Sequence, residues 1–345
     1  MPPYVYCGAS ADDSLTIIDV ANPAAPVTVG NIAGAGAPNF LDGPTAVDLS
    51  GNNVFITARN DNALTIVNVA NPAAPAFVGS VQDAVSLFQA WGVKVIRDLA
   101  YVVNQGPIPD GGLTIVDISN LAAPAIIGRL AMPGGQRLNV QIDDANKIAY
   151  VGGNDDGLYV VNVSDPTNPT LITQFNPGGV VIFDLYFSGQ YIYGTPYLIG
   201  DALFIIEVSD PTNPALVGSV SGVGAPNYLN DATGVQVRNA IAYVCSRIDN
   251  ALTIWDCSTP TTPVQIGFLV DAVNLASARY CKVVGNRAYI TGWGRFTVVD
   301  ITNLAAPAVL GSYSGAGAPN WLGGNGPMAL IREPGVRTDP ATEIT

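Results

Sequence analysis

Leu15-Thr-Ile-Ile-Asp19 returns along the chain as Leu64-Thr-Ile-Val-Asn68, Leu113-Thr-Ile-Val-Asp117, Leu158-Tyr-Val-Val-Asn162, Leu203-Phe-Ile-Ile-Glu207, Leu252-Thr-Ile-Trp-Asp256 and Phe296-Thr-Val-Val-Asp300. Successive copies start 49, 49, 45, 45, 49 and 44 residues apart. That period fits one four-stranded blade of a β-propeller and is too long for a leucine-rich or β-helix coil. Within each copy apolar residues fall on both alternating faces, as they must in a strand sandwiched between two sheets. A proline-punctuated turn follows, Asn22-Pro-Ala-Ala-Pro26 after the first copy and Asp165-Pro-Thr-Asn-Pro169 after the fourth. Proline ends the strand and pre-sets the turn. The acid or amide that closes each run (Asp19, Asn68, Asp117, Asn162, Glu207, Asp256, Asp300) is expected to brace that turn by hydrogen bonding.

Around each run, β-branched and aromatic residues cluster into four short strands. In the second unit they are Thr45 to Leu49, Val54 to Thr57, Leu64 to Val69 and Ala76 to Val81. The chain opens on a second-strand sequence, Tyr4 to Cys7, which matches Ala100-Tyr-Val-Val103 and Ala242-Tyr-Val-Cys245. It ends with a spare first-strand sequence, Pro327 to Ile331, which resembles Thr45 to Leu49. The two ends together make one blade and leave no open sheet edge. The expected fold is therefore all-β: a seven-bladed β-propeller of four-stranded antiparallel blades, its ring closed by the C-terminal strand completing the first blade. Residues 1–334 form the one domain, and 335–345 a polar C-terminal tail.

Composition narrows the function classes. The 345 residues are 48% apolar and 12% charged, with Gly 37 and Pro 26, which supplies a core and many turns and argues against disorder and coiled coil. A net charge of −13 removes the driving force for counterion-release binding to a phosphate backbone, so nucleic acid is not an expected partner. Histidine is absent, and with it the commonest general base, zinc ligand and triad member. No enzymatic activity, cofactor or metal is expected. Met1 to Ser10 has neither a basic segment nor an apolar stretch of signal-peptide length, and no apolar run approaches 18 residues. A soluble protein with no secretory signal in the chain as given and no membrane insertion is expected. Cys7, Cys245, Cys257 and Cys281 lie in strand-like runs without CxxC spacing; buried thiols are the expectation, and their even number also permits disulfides.

The Leu-x-Ile-x-Asp run, the Pro-x-x-Pro turn and the Val-Gly of the closing strand resemble the LVIVD repeat over residues 4 to 332. The resemblance implies a β-propeller of a family found in bacterial and archaeal surface or secreted proteins, usually without an assigned enzymatic activity. It thus points to an extracellular or surface location, and it implies no ligand.

Repetition separates scaffold from site, because features present in every blade are structural and those breaking the symmetry are candidates for function. The adjacent carboxylates Asp12-Asp13, Asp143-Asp144 and Asp155-Asp156 fall in turns, and neighbouring side chains diverge, so they are read as solvated turns rather than a glycosidase pair. Asn154-Asp-Asp-Gly157 lacks the spaced acids and distal Glu of a calcium loop. The informative departure is a loop that occurs three times: Gly34-Ala-Gly-Ala-Pro-Asn-Phe-Leu41, Gly222-Val-Gly-Ala-Pro-Asn-Tyr-Leu229 and Gly315-Ala-Gly-Ala-Pro-Asn-Trp-Leu322. Without a third glycine or a following helix it is no dinucleotide fingerprint. Each copy joins the outer strand of one blade to the inner strand of the next. It therefore shares a face with the turns Arg59-Asn-Asp-Asn62 and Arg247-Ile-Asp-Asn250. The candidate ligand- or partner-binding residues are Phe40, Arg59, Asp61, Tyr228, Arg247, Asp249 and Trp321.

Leu15 to Leu203 and Leu64 to Leu252 are both 188 residues apart, so a block of about four blades has duplicated. The loops are inherited copies, and each aromatic either packs over the blade below or contacts a ligand. If exposed, each contributes roughly 1.5 to 3 kcal/mol on burial, against an association cost of roughly 4 to 15 kcal/mol. Tight recognition therefore needs neighbouring polar groups or multivalency. With only 3 Lys and 3 Glu, the surface is built largely of short side chains whose ordering costs little entropy. The expectation is a non-catalytic binding or assembly propeller, a structural subunit of a surface layer, appendage or virion. Its partners are protein, as a homo-oligomer or larger assembly, through the aromatic-loop face or the tail. A lectin-like module stacking sugar rings on Phe40, Tyr228 and Trp321 is the second reading; an enzyme using Asp or Tyr in the central channel is the third.

Overall fold

The seven repeated runs each become the third strand of a four-stranded antiparallel sheet, and seven such sheets account for all 28 strands of the computed structural model. The structure describes residues 4–106, 111–132, 136–153, 157–176, 181–196, 201–318, 322–324 and 330–332, the last three by their backbone. The tail expected at 335–345 lies outside them. Blade 2 is typical, with strands Pro44–Ser50, Asn53–Ala58, Ala63–Asn68 and Ala76–Gln82. Innermost strands Pro44–Ser50, Ala90–Ile96, Arg137–Asp143, Asp184–Ser188, Ala232–Arg238 and Tyr280–Val284 line the axis in blades 2 to 7, each touching its neighbours around the ring. In blade 1 that place is taken by Leu330–Arg332, which pairs antiparallel with Tyr4–Tyr6 and closes the ring.

The core lies between blades rather than within one. Tyr6, Leu15 and Ile17 of blade 1 pack against Val47, Val54 and Val67 of blade 2. Leu64 and Ile66 of blade 2 meet Val93, Val102 and Val116 of blade 3. Across the closure, Val5, Cys7 and Ile18 pack on Tyr289, Phe296 and Val298 of blade 7. The third strand therefore feeds two cores by alternation, which is why its runs are apolar on both faces.

What holds consecutive blades at this spacing is a glycine. In every blade the outermost strand carries a bulge against the third, such as Val29 between Thr28 and Gly30, and the bulge turns the following residue towards the next blade. A Cβ on Gly30 would lie 1.9 Å from the Pro72 carbonyl oxygen, on Gly128 2.0 Å from that of Pro166, and on Gly267 1.8 Å from that of Leu304. Gly311 makes the same approach to Pro23, 2.5 Å, and so seats blade 7 on blade 1. The turns that receive these glycines are rigid. Asp19, Asn68, Asp117, Asn162, Asp256 and Asp300 each accept a backbone N–H two residues on, at 2.7 to 3.0 Å, and Glu207 accepts from the Ser209 hydroxyl. These bonds hold the Asp117, Asp256 and Asp300 carboxyls below their ordinary range. The backbone amide is the larger cause at the first two and the Thr302 hydroxyl at the third.

Blade 4 departs from the pattern. Its register places Thr173 opposite Val160, where the other blades have glycine. An open depression of about 490 Å³ lies along this junction, on the face opposite the long loops, lined by Asp143, Tyr150, Phe187 and Pro211 among others.

Replacing Gly267 with alanine is expected to cost at least about 1 to 3 kcal/mol, because a backbone carbonyl rather than a mobile side chain blocks the added carbon. Thr173→Ala should change stability by less than about 1 kcal/mol. Urea unfolding of both variants checks this; equal losses would remove the glycine seat as the determinant of blade spacing.

Candidate functional site

The three long loops are shaped by carboxylates of the turn between the second and third strands of the blade they lead into. Asp61 accepts the Gly36 amide at 3.1 Å and the Asp42 amide at 2.8 Å. Asp249 does the same for Gly224 at 3.1 Å and Asn230 at 2.9 Å. Asp12 repeats it for Gly317 at 3.0 Å and Gly323 at 2.6 Å. Each carboxylate binds the loop near both its ends, so loop and turn form one unit on a single face. The neighbouring Asp13 reaches the Gly43 amide at 2.9 Å instead. The Asp12-Asp13 pair is therefore two divergent loop clamps and not the solvated turn read from the sequence.

Phe40 and Tyr228 end these loops in the left-handed region, at φ 47° and 48°. Such values are uncommon for large side chains, and both are held by the residue's own amide, which donates at 2.7 Å to Gly36 and Gly224 respectively. Both aromatics are half-buried. The Tyr228 ring packs 4.9 Å from that of Phe268 on the outer strand of blade 6, and the Thr65 hydroxyl donates to the Phe40 carbonyl at 2.8 Å. Arg59 stands over the Trp91 ring at 5.4 Å and donates to Gln89. Arg247 pairs with the buried Asp231 at 2.5 Å. Trp321 lies outside the described residues, as do Asp155 and Asp156. The expected set thus forms stations on separate blades, Phe40, Arg59 and Asp61 at blade 2 and Tyr228, Arg247 and Asp249 at blade 6, with their charged members engaged inside the protein. Asp144, likewise, diverges from Asp143 to bind Arg97 and Lys147.

Two features of this face escaped the sequence reading. The first is a plug at the mouth of the central channel. Inner strands begin at the loop face, and in blades 3 and 4 they begin with a bulge whose extra residue is Trp91 or Leu138. Together with Phe183 and Tyr280 they form one cluster, with Phe183 and Tyr280 stacked at 6.3 Å and the Arg279 guanidinium over Phe183 at 5.3 Å. In a residue-by-residue alignment of the repeats this position reads Thr45, Trp91, Leu138, Phe183, Thr233 and Arg279, and large apolar residues there in three consecutive blades carry the signal. The second is Trp293, 63% exposed on the blade 7 turn between its second and third strands.

Below the plug the channel wall is polar. Asp184 of blade 5 accepts the Val235 amide of blade 6 at 3.0 Å, its neighbour Leu185 at 3.0 Å, and the Asn139 side chain of blade 4. Asp48 likewise accepts Val95 of the next blade at 2.7 Å, and Gln236 accepts Val283 at 2.7 Å. These bonds stitch inner strands together around the axis. Burial pushes the Asp184 carboxyl up to about 7, against the pull of its two amide partners and the charge of Lys282. Among the described residues, no three Cys, Asp or Glu side chains come together as a metal-ligating group.

Removing a loop clamp leaves two amides without their acceptor. Asp61→Ala is expected to cost about 1 to 3 kcal/mol, Asp249→Ala a similar amount, and the double variant their sum because the sites are on separate blades. Chemical denaturation of the three proteins reads this out. Asp184 makes stability depend on pH. Its folded value lies above the ordinary 3.8, so its contribution is full below that pH, diminishes as pH rises, and is gone once pH passes about 7. Wild type should lose stability between about pH 4 and pH 7 relative to Asp184→Asn; parallel profiles would show that Asp184 is ionised throughout.

Seven segments, residues 3–33, 45–83, 89–131, 146–176, 183–221, 230–269 and 276–315, match the LVIVD repeat. No curated protein matches the chain. Among solved structures, the chain is similar to a functionally unknown protein from Desulfotomaculum acetoxidans, with 14% identity, a TM-score of 0.73 and coverage of 96% of this chain and 99% of that one. A protein from Lactobacillus plantarum shares 14% identity at a TM-score of 0.76, covering 96% and 99%. The periplasmic gluconolactonase of Pseudomonas aeruginosa shares 12% at 0.75, again covering 96% and 99%. At such identities the likeness is one of fold alone. The repeat matches fall one to a blade across the ring, and by them the chain belongs to the LVIVD repeat family.

Proposed function

We propose that this propeller is a non-catalytic binding and assembly protein that meets protein partners, including further copies of itself, through its loop face. The observation that carries the reading is the placement of exposed apolar side chains. Of the eleven exposed large apolar side chains among the described residues, Val85, Val223, Ile248, Val270, Val273 and Trp293 lie on the loops, turns or strand ends of that face, five of them in blades 6 and 7 or the loops entering them, while Val27, Leu171, Leu216 and Val264 stand singly on four blades at the opposite face. Val273 is 67% and Trp293 63% exposed. A concentration of large apolar groups on one rim is the signature of a protein contact rather than of random surface. The loop carboxylates point the same way, since they accept backbone amides and leave the apolar groups as the outward recognition elements.

Lactonase activity is named for structural neighbours and is not assigned here. This chain has no histidine, and Trp91, Leu138, Phe183 and Tyr280 close its channel mouth on the loop face.

Mass photometry of the purified protein over rising concentration is expected to show species above the 35.7 kDa chain. Trp293→Ser combined with Ile248→Asp should return the population to single chains. A wild type that stays at 35.7 kDa, together with glycan-array binding lost in Phe40→Ala and Tyr228→Ala, would replace this reading with the lectin-like one.

A further inference from the structure

Cys245 lies in the second strand of blade 6, Ile241–Ser246, and Cys281 in the innermost strand of blade 7, Tyr280–Val284. Cys245 is paired in register with Gly234 of its own blade. A Cβ on Gly234 would lie 3.0 Å from the Tyr280 Cα, so the bare glycine brings blade 7 down onto blade 6 at the residue next to Cys281. The Cys281 thiol crosses the boundary and donates to the Tyr243 carbonyl at 3.4 Å, two residues along the strand from Cys245. Cys245 belongs to the apolar cluster between the blades, and Cys281 packs against it. Cys245 is buried and Cys281 half-buried, so Cys281 is the more exposed residue of the pair.

We propose that Cys245 and Cys281 are a modification site, a dithiol that a low-molecular-weight disulfide oxidises to a covalent staple between blades 6 and 7. Cys281 loses its proton and attacks one sulfur of the small disulfide. That S–S bond breaks, and the departing thiolate takes up the proton. Cys245 then gives up its own proton and attacks the Cys281 sulfur, and the second small thiolate leaves with that proton. Two protein thiols are oxidised and one small disulfide is reduced to two thiols. The order follows from exposure: Cys281 is the more exposed residue, while the neighbouring Cys281 thiol and burial push the Cys245 thiol up and keep it neutral until its partner has reacted. Cys7 and Cys257 are buried in other clusters and serve as internal controls.

The test is incubation of the folded protein with oxidised glutathione, followed by intact mass and non-reducing peptide mapping. A loss of about 2 Da, a Cys245–Cys281 linked peptide and reversal by a thiol reductant are expected, with Tm raised in the oxidised form. Cys281→Ser should show neither the mass loss nor the Tm shift, and Cys245→Ser should stop at a glutathione adduct on Cys281. Should Cys245→Ser fail to fold, the wild-type map decides alone. Four alkylatable thiols after oxidation, a link involving Cys7 or Cys257, or a wild-type adduct on Cys281 that never resolves would each overturn the proposal.

Discussion

A backbone carbonyl resting on a residue with no side chain is the contact on which the ring depends. Sheets packed face to face are held apart by their side chains, and a closed ring of seven must keep one angle at every joint. Here, at six of the seven joints, the bulged outer strand of one blade offers glycine to the proline turn of the next, and only the blade 4–5 joint has Thr173 in that place. Because the turn is braced by its own acid or amide, the joint is a hard stop and not a soft apolar contact. The apolar clusters then fill the space that stop defines, with different residues from blade to blade.

The same economy appears at the two ends of the strands. On the axis, side chains of one inner strand accept amides of the next, through Asp48, Asp184 and Gln236, so buried polar groups tie blades together where strands of different sheets run side by side. On the loop face, Asp12, Asp61 and Asp249 accept the amides of the connecting loops. In both places a carboxylate or amide side chain satisfies backbone donors that no sheet ladder reaches.

The fold was legible because its determinants repeat. The period, the doubly apolar third strand, the Pro turn and the divided first blade each report on a local rule that holds in every copy, and ring closure follows from counting strands. The candidate site was legible only in part. Loop and turn were placed on one face by topology, yet that Asp61 and Asp249 hold backbone, and that Arg247 finds Asp231, depends on where a loop folds back in space. Trp91 and Phe183 were hidden for another reason. Trp91 sits in an inner-strand bulge and Phe183 just ahead of its inner strand, and neither place leaves a mark on an alternating pattern already interrupted by a loop. Trp293 was passed over because it stands in a short turn unlike its six counterparts, although that unlikeness was itself the signal.

The clamp that shapes the long loops touches only peptide N–H groups. It therefore imposes no requirement on what the loop residues display, and the same backbone path carries Ala35 in one copy and Val223 in another, Phe40 in one and Tyr228 in another. Such a loop is a cassette: its outward letters can drift under selection for new contacts while the scaffold beneath keeps folding unchanged. Duplicated arcs multiply the cassettes around one rim, so a family with a uniform ring can diversify what it touches blade by blade.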